Sequence, residues 1–175
     1  MMIKNFLEVK DVDFSIGGNI KVKNISFSIE KEGDIICLLG PSGIGKTTIL
    51  RTIAGLEKIN TGSIKLNDKI LSSNEIHIEP EHRNISLAFQ ENSLFPHYTV
   101  EKNILLGAER NKQKKDKKIS LKEIVKILNI NNILNKYPHQ ISAGEAQRAS
   151  LARSLITKPD LLLLDEPLSN VDQSF

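Results

Sequence analysis

The sequence predicts an α/β fold in which a small antiparallel sheet precedes a mainly parallel sheet, and a helical segment is inserted into the latter. Three observations carry this prediction. Apolar and polar residues alternate over residues 6–29 on both sides of the Gly-Gly-Asn turn at 17–19, as in a hairpin. Short, continuous apolar runs at 35–39 and 161–164 are typical of strands buried on both faces of a parallel sheet. From Glu101 to Ala152, apolar residues recur at helical spacing.

Length and composition fit one domain and exclude several functions. The chain has 175 residues, of which 39% are hydrophobic, and this supports a real core. Its 24 basic and 21 acidic residues give a net charge of only +3, so we do not expect nucleic acid as a partner. The single cysteine, Cys37, lies in the first apolar run and is expected to be buried and inert. We expect no signal peptide and no membrane-spanning helix.

The remaining elements follow from local patterns. Residues 62–71 and 85–89 read as strands. Within residues 47–56, the apolar positions have a helical spacing that ends at Gly55. Ser120 and Glu123 form a capping-box pattern at the start of a further helix, and Ile119 with Ile124 suits a hydrophobic staple. The lysine-rich run 111–118 is interpreted as a solvated loop.

A glycine-rich loop between the first apolar run and the first helix carries the strongest functional signal. Its sequence is Gly40-Pro41-Ser42-Gly43-Ile44-Gly45-Lys46-Thr47, followed by Thr48. The glycines let backbone N–H groups converge on phosphate oxygens, and the helix points its positive end at the same anion. Lys46 is expected to reach the β and γ phosphates, and the Thr47 hydroxyl is expected to bind Mg²⁺. The alternative, a glycine-rich turn that happens to contain lysine, does not explain the strand before it and the helix after it.

A pair of carboxylates follows the second apolar run. Asp165 and Glu166 come directly after residues 161–164, so a buried strand delivers them to the carboxyl edge of the parallel sheet. Asp165 is suited to hold Mg²⁺ through water, and Glu166 to orient and deprotonate an attacking water. An ordinary acidic turn is the alternative, and the phosphate loop upstream disfavours it.

A third motif separates this chain from other phosphate-loop proteins. Ile141-Ser142-Ala143-Gly144-Glu145 lies between the other two motifs, and Ser142 is placed to cap the helix that follows. With this order of motifs, the chain resembles the ATP-binding subunits of ABC transporters, whose signature is Leu-Ser-Gly-Gly-Gln. The resemblance extends from about Phe6 to Asp172 and implies a P-loop NTPase core that binds and hydrolyses ATP with Mg²⁺.

The resemblance implies roles for further positions. Gln90 matches the glutamine that reaches Mg²⁺ and the attacking water, so Mg²⁺ would be held by Thr47, Gln90 and Asp165. Phe14 lies where the family places an aromatic ring on adenine, with a core phenylalanine as the equal alternative. Residues 169–172 resemble the D-loop at the dimer interface. Residues 1–90 and 155–175 would then form the nucleotide-binding core, and 91–154 the helical subdomain.

The resemblance also implies partners. Two copies would pair head to tail, each ATP lying between the Lys46 loop of one and the segment Ser142, Ala143, Gly144 and Glu145 of the other. Transmembrane permease subunits and a solute-binding protein would complete the transporter, with this chain peripheral on the cytoplasmic face of the membrane. The segment 89–100 looks like that of bacterial importers for ferric iron, thiamine, polyamines or sulfate.

Three departures from the family pattern keep alternatives open. Ala143 replaces a glycine, and its methyl group would crowd the backbone near phosphate. Glu145 replaces glutamine. The chain ends nine residues after Glu166, before the family's switch histidine, so a truncated protein that binds ATP without turnover is one alternative. A soluble ABC ATPase outside transport is the other.

Overall fold

A computed structural model describes residues 5–16, 20–88, 94–109 and 120–166. It divides into two compact units, Met1–Arg83 and Asn84–Phe175. The predicted division of the chain into a core (1–90 with 155–175) and a helical subdomain (91–154) stays a prediction. The first unit contains strands and one helix: Leu7–Ile16 (β1), Ile20–Ile29 (β2), Lys46–Ala54 (α1), Thr61–Leu66 (β3) and Lys69–Ser72 (β4). The second contains Ile85–Ala88 (β5), Val100–Glu109 (α2), Leu121–Ile127 (α3), Ala143–Leu155 (α4) and Leu161–Leu164 (β6).

The first unit contains the antiparallel sheet that the sequence predicts. Its strands lie in the order β2-β1-β3-β4, and every neighbouring pair is antiparallel. The turn at 17–19 lies outside the described residues, but the pairing of β1 with β2 confirms the hairpin. Residues 62–71, predicted as one strand, form two, because Asn67 and Asp68 both have left-handed backbone (φ 48° and 63°) and make a two-residue turn between β3 and β4.

The apolar run 35–39 does not form the buried strand that the sequence predicts. It has no regular secondary structure and belongs to neither described sheet; Ile35 is 92% exposed and Leu39 91%. A strand of this composition is buried only when strands pair with both of its edges and helices cover both faces, and the described sheets place no strand beside it. The predicted burial of Cys37 is therefore wrong as well, since its side chain is exposed.

The second unit builds its core from three helices beside a parallel strand pair. β5 pairs with β6 in parallel, from Ile85 opposite Leu161 to Ala88 opposite Leu164. The buried cluster comprises Leu94, Val100, Ile104, Ile124, Val125, Ile130, Ile133, Ala146, Ala149, Ala152 and Ile156. Full burial of β6 is not observed, because Leu163 is buried but Leu164 is 39% exposed. None of the helices in the described ranges has the length and apolar content needed to cross a membrane.

Candidate functional site

The glycine-rich loop leads directly into α1. Gly43 and Gly45 have left-handed backbone, with φ of 81° and 104°, and Gly45 occupies the N-cap position of the helix. Because glycine has no side chain, nothing from the N-cap residue covers the first N–H groups, and the first turn of α1 contains no acidic residue. The positive end of the helix is therefore compatible with an anion.

Lys46, the first residue of α1, is held against the loop. Its Nζ donates hydrogen bonds to the carbonyl oxygens of Gly40 at 2.8 Å and Pro41 at 2.9 Å. The ammonium is thus placed over the loop backbone by two neutral acceptors, which a charged phosphate oxygen could replace with a stronger bond. The loop itself is open to solvent: Gly40, Pro41, Ser42, Gly43 and Ile44 are exposed, as is Thr47.

Asp165 and Glu166 lie where β6 ends, as predicted. The Asp165 backbone N–H donates to the Ala88 carbonyl at 3.1 Å, which extends the parallel pairing by one step, and its side chain is 8% exposed. Glu166 is exposed and has a left-handed backbone (φ 46°), which is uncommon for a residue with a Cβ. The strand thus ends in a sheltered carboxylate followed by a solvent-facing one.

Ser142 caps α4, and Glu145 closes the cap. Ser142 Oγ accepts from the Glu145 N–H at 3.2 Å, and Glu145 Oε2 accepts from the Ser142 N–H at 2.9 Å. This backbone hydrogen bond lowers the pKa of Glu145. The glutamate that departs from the family signature therefore completes a capping box, a role that was not predicted. The capping box predicted from the same spacing at Ser120 and Glu123 is confirmed.

Replacing Ser142 by alanine is expected to lower the free energy of unfolding by about 1 kcal/mol. The variant removes the hydroxyl that accepts from the Glu145 N–H, and with it the reciprocal pair of capping hydrogen bonds. Urea unfolding followed by circular dichroism measures it. Ser120→Ala is the matched control, since it removes the same motif from α3. Only Ser142→Ala is expected to change nucleotide turnover as well; equal turnover in the two variants would contradict a role for Ser142 at the nucleotide.

Not every predicted site residue has a described position. Gln90 and residues 169–172 lie outside the described residues. Phe14 is 1% exposed and lies opposite Val22 of β2, the placement of the core alternative; adenine stacking by Phe14 stays a prediction. The loop belongs to the first unit, whereas Ser142, Asp165 and Glu166 belong to the second.

Comparison with known proteins decides the family. Residues 22–169 match the family model described as ABC transporter. The chain belongs to the ABC transporter family. This confirms the assignment made from the order of the three motifs.

Curated members of the ABC transporter family are similar over nearly the whole chain. The Fe(3+) ions import ATP-binding protein FbpC of Fusobacterium nucleatum is 41% identical over 167 residues, covering 95% of this chain and 44% of that protein. The sn-glycerol-3-phosphate import ATP-binding protein UgpC 3 of Agrobacterium fabrum is 40% identical, with 95% and 46% covered. The glucose import ATP-binding protein GlcV of Saccharolobus solfataricus is 39% identical, with 98% and 48% covered. The chain spans a little under half the length of these relatives.

Solved ABC structures confirm the fold. The cbiO1 protein of Clostridium perfringens, part of the ABC transporter complex cbiONQ, superposes with a TM-score of 0.79 at 25% identity, covering 97% of this chain and 68% of that one. The ATP-binding cassette MJ0796, in a dimeric post-hydrolysis state bound to ADP and Pi, gives a TM-score of 0.73 at 25% identity, with 95% and 76% covered. The P-loop NTPase fold predicted from the sequence is thereby confirmed.

The donor groups of this ABC transporter chain suit magnesium. The described residues contain no group of three His, Cys, Asp or Glu side chains able to hold a metal ion by themselves. Mg²⁺ in nucleotide sites is usually bound by one or two protein oxygens together with phosphates and water. The exposed Thr47 hydroxyl and the Asp165 carboxylate at the end of β6 are oxygen donors of that kind.

Asn103, which shapes the turn before α2, was not predicted as a functional residue from the sequence. Its side chain is fully buried; Oδ1 accepts from the Phe95 N–H at 2.7 Å, and Nδ2 donates to the carbonyls of Phe95, Tyr98 and Thr99, each at 3.1 Å. Phe95, 46% exposed, also lies under the Arg153 guanidinium of α4 at 5.7 Å. A signal was available, because Asn103 shares the helical spacing of buried Val100 and Ile104 and is the polar member of that face.

Proposed function

We propose that this chain binds MgATP and hydrolyses it as the nucleotide-binding part of an ABC importer. The observation that carries the proposal is the Lys46 ammonium, hydrogen-bonded over a glycine-rich loop at the positive end of α1. The names of the relatives, all import ATP-binding proteins, support import over a non-transport role. The chain itself does not specify the solute, which the membrane and binding subunits select.

The residues divide the chemistry among them. Backbone N–H groups of the loop and the Lys46 ammonium bind the β and γ phosphates. Thr47, Gln90 and Asp165 would hold Mg²⁺, which would supply positive charge to neutralise the phosphates. Glu166 accepts a proton from the attacking water, whose oxygen bonds to the γ phosphorus as the bond to the bridging oxygen breaks, giving ADP and phosphate. The exposure of Glu166 leaves its carboxylate accessible to that water.

Assembly completes the proposed site. A second copy of the chain contributes Ser142, Ala143, Gly144 and Glu145 to each ATP, an arrangement supported by the dimeric state named for the MJ0796 cassette. The turn organised by Asn103, with Phe95 on its surface, faces transmembrane permease subunits at the cytoplasmic side of the membrane. A solute-binding protein delivers the solute to the permease from the other side.

The test is ATP binding by the Lys46→Ala variant, measured by isothermal titration calorimetry in the presence of Mg²⁺. We expect affinity to fall about ten- to hundredfold, since hydrogen bonds to a charged group contribute about 1.5–3 kcal/mol. Lys58→Ala is the control, because it removes one exposed lysine from the same unit outside the loop. Unchanged ATP affinity in Lys46→Ala would refute the site.

A further inference from the structure

Arg83 is a buried cation at the end of the first unit. The residue is 4% exposed, yet within the described part of the chain no carboxylate hydrogen-bonds to it, and the guanidinium donates there to neutral oxygens. The partners are the carbonyls of Ile78 at 2.7 Å, Thr52 at 3.1 Å, Ile53 at 2.8 Å and Leu71 at 3.1 Å, and Ser72 Oγ at 2.7 Å. These five hydrogen bonds from one side chain hold three separate segments of the chain together.

Two of those partners belong to α1. Thr52 and Ile53 lie in the last turn of the helix, where carbonyl oxygens lack partners within the helix and carry its partial negative charge. Leu71 and Ser72, which accept from the other terminal nitrogen of the guanidinium, belong to β4. Arg83 therefore joins the carboxyl end of the phosphate-loop helix to the antiparallel sheet.

The guanidinium keeps its charge in this environment. Burial lowers the pKa of Arg83 to about 10, and the nearby Glu79 carboxylate opposes that shift. At neutral pH the side chain remains a cation, which favours its position at the negative end of a helix.

Gly55 makes room for this contact. A Cβ at Gly55 would lie 2.6 Å from Arg83 Nε and 2.8 Å from Cζ, closer than packed atoms allow. The backbone at Gly55, directly after α1, therefore packs closely against the guanidinium of Arg83.

A second hydrogen bond continues the connection toward the loop. Thr52, fully buried, donates from Oγ1 to the Thr48 carbonyl at 2.7 Å, one turn nearer the amino end of the helix. Thr48 directly follows Lys46 and Thr47, the residues assigned to phosphate and metal.

We propose that Arg83 is a positioning residue for nucleotide binding, which holds α1 on the antiparallel sheet in the orientation that places Lys46 and Thr47 at the phosphates. The inference rests on the proposed function. Arg83 does not touch the nucleotide. Its effect is transmitted by α1, a rigid helix of nine residues fixed at its far end.

The experiment compares Arg83→Lys with Leu7→Ala. Lysine keeps the charge but loses the planar fork that reaches five acceptors. Leu7→Ala opens a cavity in β1, a strand of the same unit that supplies none of those acceptors. ATP affinity is measured by calorimetry with Mg²⁺ at a temperature where circular dichroism shows wild type and both variants folded. We expect Arg83→Lys to bind ATP about tenfold more weakly than wild type, and Leu7→Ala to bind like wild type.

Each outcome decides the question. Wild-type affinity in Arg83→Lys, or an equal loss in Leu7→Ala, shows that Arg83 only stabilises the fold and overturns the inference while leaving the proposed function intact. Absence of Lys46-dependent ATP binding in the wild type overturns both. If Arg83→Lys does not fold, Thr52→Val breaks the same connection at its second step while preserving side-chain shape. Weaker ATP binding by Thr52→Val supports the inference, and unchanged binding overturns it.

Discussion

Glu166→Gln is expected to retain ATP binding and to lower the rate of phosphate release by about 10²–10⁴-fold, the usual contribution of a general base. Glutamine has nearly the same shape but cannot accept the proton of the attacking water. The exposed position of Glu166 at the end of β6 means that its carboxylate is not required for folding through any buried contact. Steady-state phosphate release and ATP calorimetry on the same preparation separate turnover from binding.

Glu101→Gln provides the control for this change. Glu101 lies on α2 in the same unit, has no assigned role at the nucleotide, and undergoes the same chemical replacement. Its turnover should match the wild type. If Glu166→Gln hydrolysed ATP at the wild-type rate, Glu166 would not be the base, and the neighbouring Asp165 would become the next candidate.

The motifs were predictable because each is a local pattern. Gly45 at the N-cap of α1, Ser142 at the start of α4, and Asp165 at the end of β6 depend on residues within a few positions of each other. Spacing along the sequence is sufficient to predict such features. Their order along the chain was also sufficient to predict the family.

Features that depend on distant partners could not be predicted in this way. The run 35–39 has the composition of a buried strand, but burial requires neighbouring strands that composition does not supply. Arg83 is a similar case, because its acceptors are mainly backbone carbonyls up to 31 positions away. Every residue has a backbone carbonyl, so the residue type does not indicate which carbonyl accepts a hydrogen bond from Arg83. Phe14 is a further case, because a phenylalanine that stacks on adenine and a phenylalanine that packs in the core are the same residue type in the sequence.

Strand β1 contains an irregularity close to Gly62 of β3. Its pairing with β3 shifts register between Lys10 and Asp13, and Asp11 has a left-handed backbone (φ 50°). Ser26 of β2 fixes this bulge, because its Oγ accepts from the Asp11 N–H at 2.9 Å and donates to Asp11 Oδ1 at 3.2 Å. At this bulge the backbone of β1 lies close to Gly62 of β3.

Gly62→Ala is expected to lower the free energy of unfolding by about 2–5 kcal/mol, a large share of the stability of an ordinary domain. Gly62 has φ of 90°, and a Cβ there would lie 2.4 Å from the Asp11 carbonyl oxygen and 2.5 Å from that of Lys10. Both are backbone atoms of a strand paired on two sides, so they cannot move aside as a flexible side chain would.

Gly33→Ala separates the two causes of that loss. Gly33 has nearly the same backbone conformation (φ 92°), but a Cβ there would meet nothing within 4 Å, so only the backbone strain of about 1–2 kcal/mol applies. Urea unfolding followed by circular dichroism on both variants gives the difference due to the collision with β1. Equal losses in the two variants would mean that β1 yields at the bulge, and the close approach of β1 to β3 would then not constrain the first unit.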